Sequence, residues 1–347
     1  MNLTNSHPPL VSVIIPAYNA EAFISETLNS VLSQTYKNIE VLVVDDGSQD
    51  RTSEIVESFA AKDSRVVLLN QFNQGATAAR NLAIEKSRGE FIAPIDADDI
   101  WYPKKLEKQV QRMVQADLSV GLVYAWSTHI DEKGLLIGSG RTSRLEGDIY
   151  IALVQDNFVG SGSAPLIRRE CFEKVGGYNY KLKEQNAEGC ADWDLYLRIA
   201  EYYEFRVVPE FLIGYRQLVS SMSSNHQKMA KSYSIIIADA RQRNPKLPVD
   251  IIRASSRNFY VYLSYQTRRQ GDHWNTFYWL YKALKLDSIN ILKNYQLWAH
   301  AFTSLLKLVA QPVTSLVWQN PSSWIEFKRR FSSKHIINGF NKQVDES

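Results

Sequence analysis

For about its first hundred residues the chain alternates short β-branched apolar runs with stretches whose apolar residues recur at helical spacing. Val11-Ser12-Val13-Ile14-Ile15 reads as a strand, and Ala22 to Leu32 as the amphipathic helix that follows it. Ile39 to Val44 is a second, unbroken apolar strand; after the turn Asp45-Asp46-Gly47-Ser48 a helix begins near Asp50 and runs to about Ala61. Val66 to Leu69 (strand), Ala76 to Lys86 (helix) and Phe91 to Ile95 (strand) repeat the pattern. Strands that are apolar throughout are buried on both faces, and strands alternating with helices imply parallel pairing. The expectation is an α/β fold of Rossmann-like kind, a mostly parallel sheet between helices. Ligands of such sheets bind at the carboxyl ends of the strands. The loops after Ile15, Val44, Leu69 and Ile95 are therefore where a site belongs.

From Gly121 the character changes to strand-like pieces, Leu122 to Trp126 and Ser161 to Ile167, with a turn at Asp131 to Gly134. A helix at Asp194 to Tyr203 and strands at Phe205 to Val208 and Phe211 to Tyr215 follow. From Gln227 to about Lys307 the chain reads as helices rich in Tyr, Trp, Arg and Lys, broken at Pro245/Pro248 and near Gly271. A boundary within Ser220 to Lys231 is expected, giving a catalytic domain over 1–225 and a helical domain over 226–347.

The strand-end loops are acidic. Ile95 is followed by Asp96-Ala97-Asp98-Asp99, and three carboxylates in four positions repel unless a cation or hydrogen-bond donors offset them. A hard divalent ion, Mn²⁺ or Mg²⁺, suits such a turn, because it takes one or two carboxylates plus substrate phosphates. The plainer alternative is an acidic turn with Asp99 capping a helix near Pro103. At the second strand's end, one carboxylate of Asp45-Asp46 can accept from a nucleobase N–H, while Gly47 permits the turn and Ser48 or Asp50 caps the next helix.

These residues resemble the inverting family 2 glycosyltransferases of GT-A fold. The likeness rests on Val11 to Asn19, Asp45-Asp46-Gly47-Ser48, Asn73-Gln74-Gly75 with Ala79-Arg80-Asn81, and Gly89-Glu90-Phe91-Ile92 leading to Asp96-Ala97-Asp98, the family's DXD motif. It continues to Asp192-Trp193-Asp194-Leu195-Tyr196-Leu197-Arg198 and covers roughly residues 10 to 220. It implies that Pro16, Ala17, Tyr18 and Asp46 hold the base and ribose of a nucleotide sugar, that Arg80 lies near the phosphates, and that Asp96 contacts ribose or metal. Asp98 would coordinate the Mn²⁺ or Mg²⁺, and Asp192 would be the general base that deprotonates the acceptor hydroxyl. A metal neutralising the leaving group and a base on the opposite face suit one in-line, inverting displacement. Two departures stand out: Ala191 occupies the family's usual Glu position, and Gln217-Leu218 follow Tyr215-Arg216 where a His is common. Glu188, three residues before Ala191, is the available substitute.

Composition sharpens the second half. The 347 residues carry a formal net charge of only +3. From Lys231 onward there are 17 Lys and Arg against 7 Asp and Glu, while the preceding residues hold 23 against 30. Near-neutrality is thus cancellation between an acidic first part and a basic tail. That tail holds five of the eight tryptophans, Trp274, Trp279, Trp298, Trp318 and Trp324, and a Lys328-Arg329-Arg330 run. Basic residues mixed with large aromatics suit an anionic membrane surface. The alternative is a helical cap whose aromatics pack inward. No nucleic-acid module is recognisable, so no nucleic-acid partner is expected. Cys171 and Cys190 lack metal or redox spacing, no signal peptide is visible in Met1 to Pro9, and no apolar run approaches bilayer length.

The expected protein is a metal-dependent glycosyltransferase, cytoplasmic or peripheral at the cytoplasmic face of the membrane. It would move sugar from a nucleoside-diphosphate sugar, UDP-linked in the first instance, to a glycan or lipid-linked acceptor in cell-surface polysaccharide biosynthesis. A nucleotidyltransferase would need a basic Gly-rich loop after the first strand, and Pro16-Ala17-Tyr18-Asn19-Ala20 is not one. A catalytically degenerate, membrane-associated scaffold is the competing expectation; it predicts no nucleotide turnover even with metal.

Overall fold

The computed structural model describes residues 7–318 apart from 219–220 and 222–223, with side chains through residue 308. In chain order the elements are β1 (Val11–Ala17), α1 (Ile24–Leu32), β2 (Ile39–Asp45), α2 (Thr52–Ala60), β3 (Val66–Asn70), α3 (Ala76–Lys86), β4 (Phe91–Pro94), β5 (Ile100–Trp101) and α4 (Lys105–Val114). Then come β6 (Val120–Ile130), β7 (Leu136–Ser139), α5 (Tyr150–Gln155), β8 (Leu166–Arg168), α6 (Arg169–Val175), α7 (Tyr180–Glu184), α8 (Ala191–Ala200) and β9 (Glu204–Arg216). The remainder is helical: α9 (His226–Arg243), α10 (Val249–Arg269), α11 (His273–Leu286), α12 (Ser288–Lys293) and α13 (Tyr295–Trp318).

The strands join one sheet in the order β3-β2-β1-β4-β8-β6-β9-β5, with β7 paired on β6. The first four strands are mutually parallel, as their continuously apolar sequences require. β8 then pairs antiparallel with both β4 and β6, β9 runs parallel to β6, and β5 antiparallel to β9. Register aligns Ala17 with Asp45 and Asp45 with Asn70, bringing the three strand-end loops to one edge. The core follows the apolar runs: Val13, Ile14, Ile15, Val41, Val43 and Val44 are fully buried.

The expected strand at Ser161 to Ile167 shortens to Leu166–Arg168. Its first half is a turn, because Ser163 and Ala164 are claimed elsewhere: Trp101 Nε1 donates to the Ser163 carbonyl at 2.9 Å and Gln109 Nε2 to that of Ala164 at 2.8 Å. The two strands expected between Phe205 and Tyr215 are one strand, β9, with register shifts where β6 bends alongside it. Asp99 does not cap a helix. The nearest helix, α4, starts at Lys105 with no side-chain cap, and Asp99 is buried.

The chain divides into two compact units that part at Phe259/Tyr260. In the first, α9 and the start of α10 support the sheet's far helices. Tyr233 stacks on Phe259 at 4.1 Å, and Trp193 of α8 lies 5.6 Å from Tyr233. The second unit is built around Ala283, Ile291 and Leu297, flanked by Tyr260, Val261, Leu280 and Leu284. No helix of the described residues is long and apolar enough to cross a membrane.

Candidate active site

The edge formed by β1, β2 and β4 carries Pro16, Ala17, Tyr18, Asp46, Asp96 and Asp98, while Arg80 lies on α3 and Asp192 on α8. β1 ends with Pro16 and Ala17, and Tyr18 projects beyond it, half-exposed. The Asp46 N–H donates to the Ala17 carbonyl at 2.8 Å, tying the two loops together. The buried Asp46 carboxylate accepts from Gln71 Nε2 (2.6 Å), Gln74 N–H (2.7 Å) and Gly75 N–H (2.8 Å). It thus shapes the loop that enters α3 and keeps one lone-pair direction free. Gly47 has φ 75°, and a Cβ there would lie 3.0 Å from the Asn73 nitrogen, so the turn needs glycine. Neither Ser48 nor Asp50 is the N-cap of α2, which is Arg51 without a side-chain cap; Asp50 accepts from the Thr52 N–H at 2.9 Å just before the helix.

Beyond β4 the acidic turn separates three like residues into three roles. Asp96 pairs with Arg80 from α3. Its N–H donates to Ser163 Oγ at 3.0 Å, and that hydroxyl donates to Asp99 Oδ2 at 2.5 Å. Asp99 is fully buried and accepts from the Arg216 N–H at 2.9 Å. Burial, with the charges of Asp98 and Asp96, holds its carboxyl well above the ordinary range. Asp98 is only partly buried, and burial followed by the Asp96 charge pushes it up to about 6.

The backbone of this turn is clamped. Thr27 Oγ1 lies 2.9 and 2.8 Å from the carbonyls of Ala97 and Asp99. The guanidinium of Arg216, at the end of β9, donates to the carbonyls of Asp98 (2.7 Å), Asp131 (2.8 Å) and Glu132 (3.0 Å) and to Glu26 Oε2 (2.6 Å). Its face covers the Phe23 ring at 4.8 Å. Arg216 is the residue that sequence reasoning missed. Its signal was an arginine ending an apolar strand, a position where a charge survives only if fully paired.

Asp192 stands in the first turn of α8, where Oδ1 accepts from the Trp193 N–H at 2.8 Å. Burial pushes it up to about 6 against that N–H and the Arg80 charge. Its neighbour Asp194 is buried and pairs with Arg198 at 2.9 Å, a purely structural bond. Ala191 packs in the core. Glu188 accepts from Thr77 N–H at 3.2 Å and faces Lys183 at 3.8 Å, which places it at the start of α3. The helix base is fastened to α9 where Cys190 N–H donates to Ser232 Oγ at 2.9 Å.

Among the described residues no three His, Cys, Asp or Glu side chains form a metal cluster. The donor set is a pair, Asp96 and Asp98, and burial followed by the Asp96 charge lifts Asp98. A pair of hard oxygen ligands at a strand end suits a divalent cation that completes its shell with phosphates and water. The residues therefore fit the ion.

A mostly parallel sheet extended by antiparallel strands, with carboxylates at the carboxyl ends of its parallel strands, is the GT-A fold. Residues 12–176 match the family model described as glycosyl transferase family 2, so that part of the chain is a domain of that family. It is 29% identical over 259 residues to an uncharacterized glycosyltransferase of Rickettsia typhi, covering 74% of this chain and 79% of that one. Over 111 residues it is 50% identical to the UDP-Glc:alpha-D-GlcNAc-diphosphoundecaprenol beta-1,3-glucosyltransferase WfgD of Escherichia coli, covering 32% of this chain and 43% of that one. The mannosyltransferase PcManGT of Pyrobaculum calidifontis, solved with GDP-Man and Mn2+, shares the fold, with a TM-score of 0.56 and 21% identity over 89% of this chain and 88% of that one.

Proposed function

We propose that the protein is a metal-dependent, inverting transferase that moves a sugar from a nucleoside-diphosphate sugar, UDP-linked in the first instance, to a lipid-linked or glycan acceptor. The WfgD relative, named for a UDP-glucose donor and a diphosphoundecaprenol acceptor, supports this choice of substrates and a role in cell-surface polysaccharide biosynthesis. The observation that carries the mechanism is the partly buried Asp192, lifted to about 6 within reach of the Arg80 and Asp96 charges. A carboxylate so lifted is a stronger base than a free one and is still ionised at neutral pH.

In this reading Pro16, Ala17, Tyr18 and Asp46 receive the base and ribose, Arg80 faces the phosphates, and Asp96 contacts ribose or metal. Asp98 would hold the Mn²⁺ or Mg²⁺, which supplies charge neutralisation to the departing diphosphate. Asp192 takes the proton of the attacking acceptor hydroxyl. Residues 1–225 then do the chemistry and 226–347 form the accessory helical part.

Peripheral attachment at the cytoplasmic face of an anionic membrane is proposed for that helical part. Trp274, Tyr278 and Tyr281 stand exposed one above another on α11, and Tyr295, Trp298, Phe302 and Leu305 do so on α13. Lys282 and Lys285 lie over aromatic rings of α11. Aromatics edged with lysine match a lipid headgroup layer. Trp318, Trp324 and Lys328-Arg329-Arg330 lie outside the described side chains.

The test is a thermal-shift screen of UDP, GDP and their sugars with and without Mn²⁺, repeated on Asp98→Asn and Asp192→Asn. Wild type should gain stability from one nucleotide only with metal, Asp98→Asn should lose that gain, and Asp192→Asn should keep it while losing transfer. No response to any nucleotide would return the protein to the scaffold reading.

A further inference from the structure

We propose that the hydroxyl of Tyr178 recognises a sugar at the reaction centre, donating a hydrogen bond to a sugar hydroxyl oxygen beside Asp192. The proposal rests on the transferase reading above.

Tyr178 is 3% exposed, and its hydroxyl has no hydrogen-bond partner among the described residues. Leaving a buried hydroxyl unpaired costs about 1–3 kcal/mol, so such a group calls for an explanation. Apolar packing does not provide one, because the surroundings are charged. Arg80 lies over the Tyr178 ring at 5.2 Å, and Asp192, Asp96 and Arg198 are the other charges that act on the hydroxyl. The orphan donor thus sits among the groups assigned to donor binding and to proton removal.

Its placement is also built with care by three segments. Asn81 on α3 clamps the Tyr178 backbone in both directions: Nδ2 donates to the carbonyl at 2.9 Å, and Oδ1 accepts from the N–H at 2.7 Å. A Cβ on Gly177 would lie 2.3 Å from Asn81 Oδ1, so this approach demands glycine. From the other side Arg198 donates to the carbonyls of Val175 and Gly177, each at 2.9 Å, while its Nε is held by Asp194. Arg198 and Asp192 share α8, so Tyr178 is held in fixed relation to the proposed base.

A rigid, unsatisfied donor is pre-organised for a ligand, since no protein bond has to break when the ligand arrives. Burial raises the hydroxyl's pKa, so it keeps its proton and can donate it to an acceptor. Sugar hydroxyls suit these surroundings because each can accept from Tyr178 while its own proton turns toward a carboxylate. The sugar could be the one transferred or the one that accepts it, and the experiment separates them.

Tyr178→Phe keeps the ring over Arg80 and removes only the oxygen. Its melting temperature should equal or exceed that of wild type, since an orphan polar group is lost. With Mn²⁺, bare UDP and GDP should stabilise it as they do wild type. If the contact is to the transferred sugar, the added stabilisation by UDP-glucose, UDP-GlcNAc or GDP-mannose over the bare nucleotide should vanish. If it is to the acceptor, that shift remains and the acceptor KM rises about five- to tenfold, the value of one hydrogen bond. A panel of monodeoxy sugar nucleotides and acceptors gives a second reading: wild type should penalise one of them, and the variant should not. Sugar-nucleotide shifts, kcat and both KM values within twofold of wild type overturn this proposal alone. Absence of any nucleotide response in wild type removes the transferase reading and this proposal with it.

Discussion

Arg216 Nε donates to the carbonyl of Asp98 at 2.7 Å across 118 residues of chain, so the end of β9 sets the shape of the acidic turn after β4. The same guanidinium neutralises Glu26 and fills two further carbonyls. No lysine can reproduce this planar fan of donors. Arg216→Lys should therefore lower stability by about 1–3 kcal/mol, the cost of leaving several carbonyls without a donor. Any protein that remains folded should respond more weakly to Mn²⁺ with nucleotide. Chemical denaturation and a metal titration check the two parts separately.

Asp192 carries the pH dependence. As a base it works ionised, and burial lifts it to about 6. Protonation below that value removes the base, so kcat/KM should fall about tenfold per pH unit below roughly pH 6 and stay level above it. Asp192→Asn should lose at least about 10²-fold in kcat and show no such limb. A pH profile that keeps its acid limb in the variant would assign the limb to another group.

Lys105 is fully buried, its ammonium over the Trp101 ring at 3.7 Å with one carbonyl, that of Pro165, at 3.2 Å. Burial drives its pKa well below the lysine range. The folded chain then binds fewer protons than the unfolded one, so stability rises with pH from the depressed value up to the ordinary lysine value. Lys105→Met should flatten that slope. Its stability at neutral pH should be unchanged or greater by up to about 4 kcal/mol, as when buried charges give way to apolar residues of like volume.

In the second unit His300 is buried, with Nδ1 accepting from Arg268 at 2.8 Å and the ring 4.3 Å from Tyr265. Burial and the Arg268 charge lower it to about 4. The unfolded histidine protonates first as pH falls, so the stabilisation is complete above about 6.5 and lost on descending toward 4. Hydrogen exchange in α11 and α13 should quicken over that interval, and His300→Gln should remove the pH dependence.

Local pattern carried much of this protein. The apolar runs at Val11, Ile39, Val66 and Phe91 become β1 to β4 because a strand with no polar face has to be covered on both sides. The same reasoning placed Asp46, Asp96 and Asp98 at one edge, since parallel strands deliver their ends together, whereas Arg80 came from the family resemblance. Sequence alone did not separate Asp96, Asp98 and Asp99, which are chemically alike and adjacent. Ser163 and Arg216 separate them, one reaching from 64 residues away and the other from 117. Nor could it show that Asp194 belongs to Arg198 or that Tyr178 keeps an unpaired hydroxyl. Hydrophobic periodicity is a property of neighbours along the chain and is legible in one dimension. Whether a buried polar group is satisfied depends on partners that only the folded chain brings within 3 Å, and the site's division of labour was decided there.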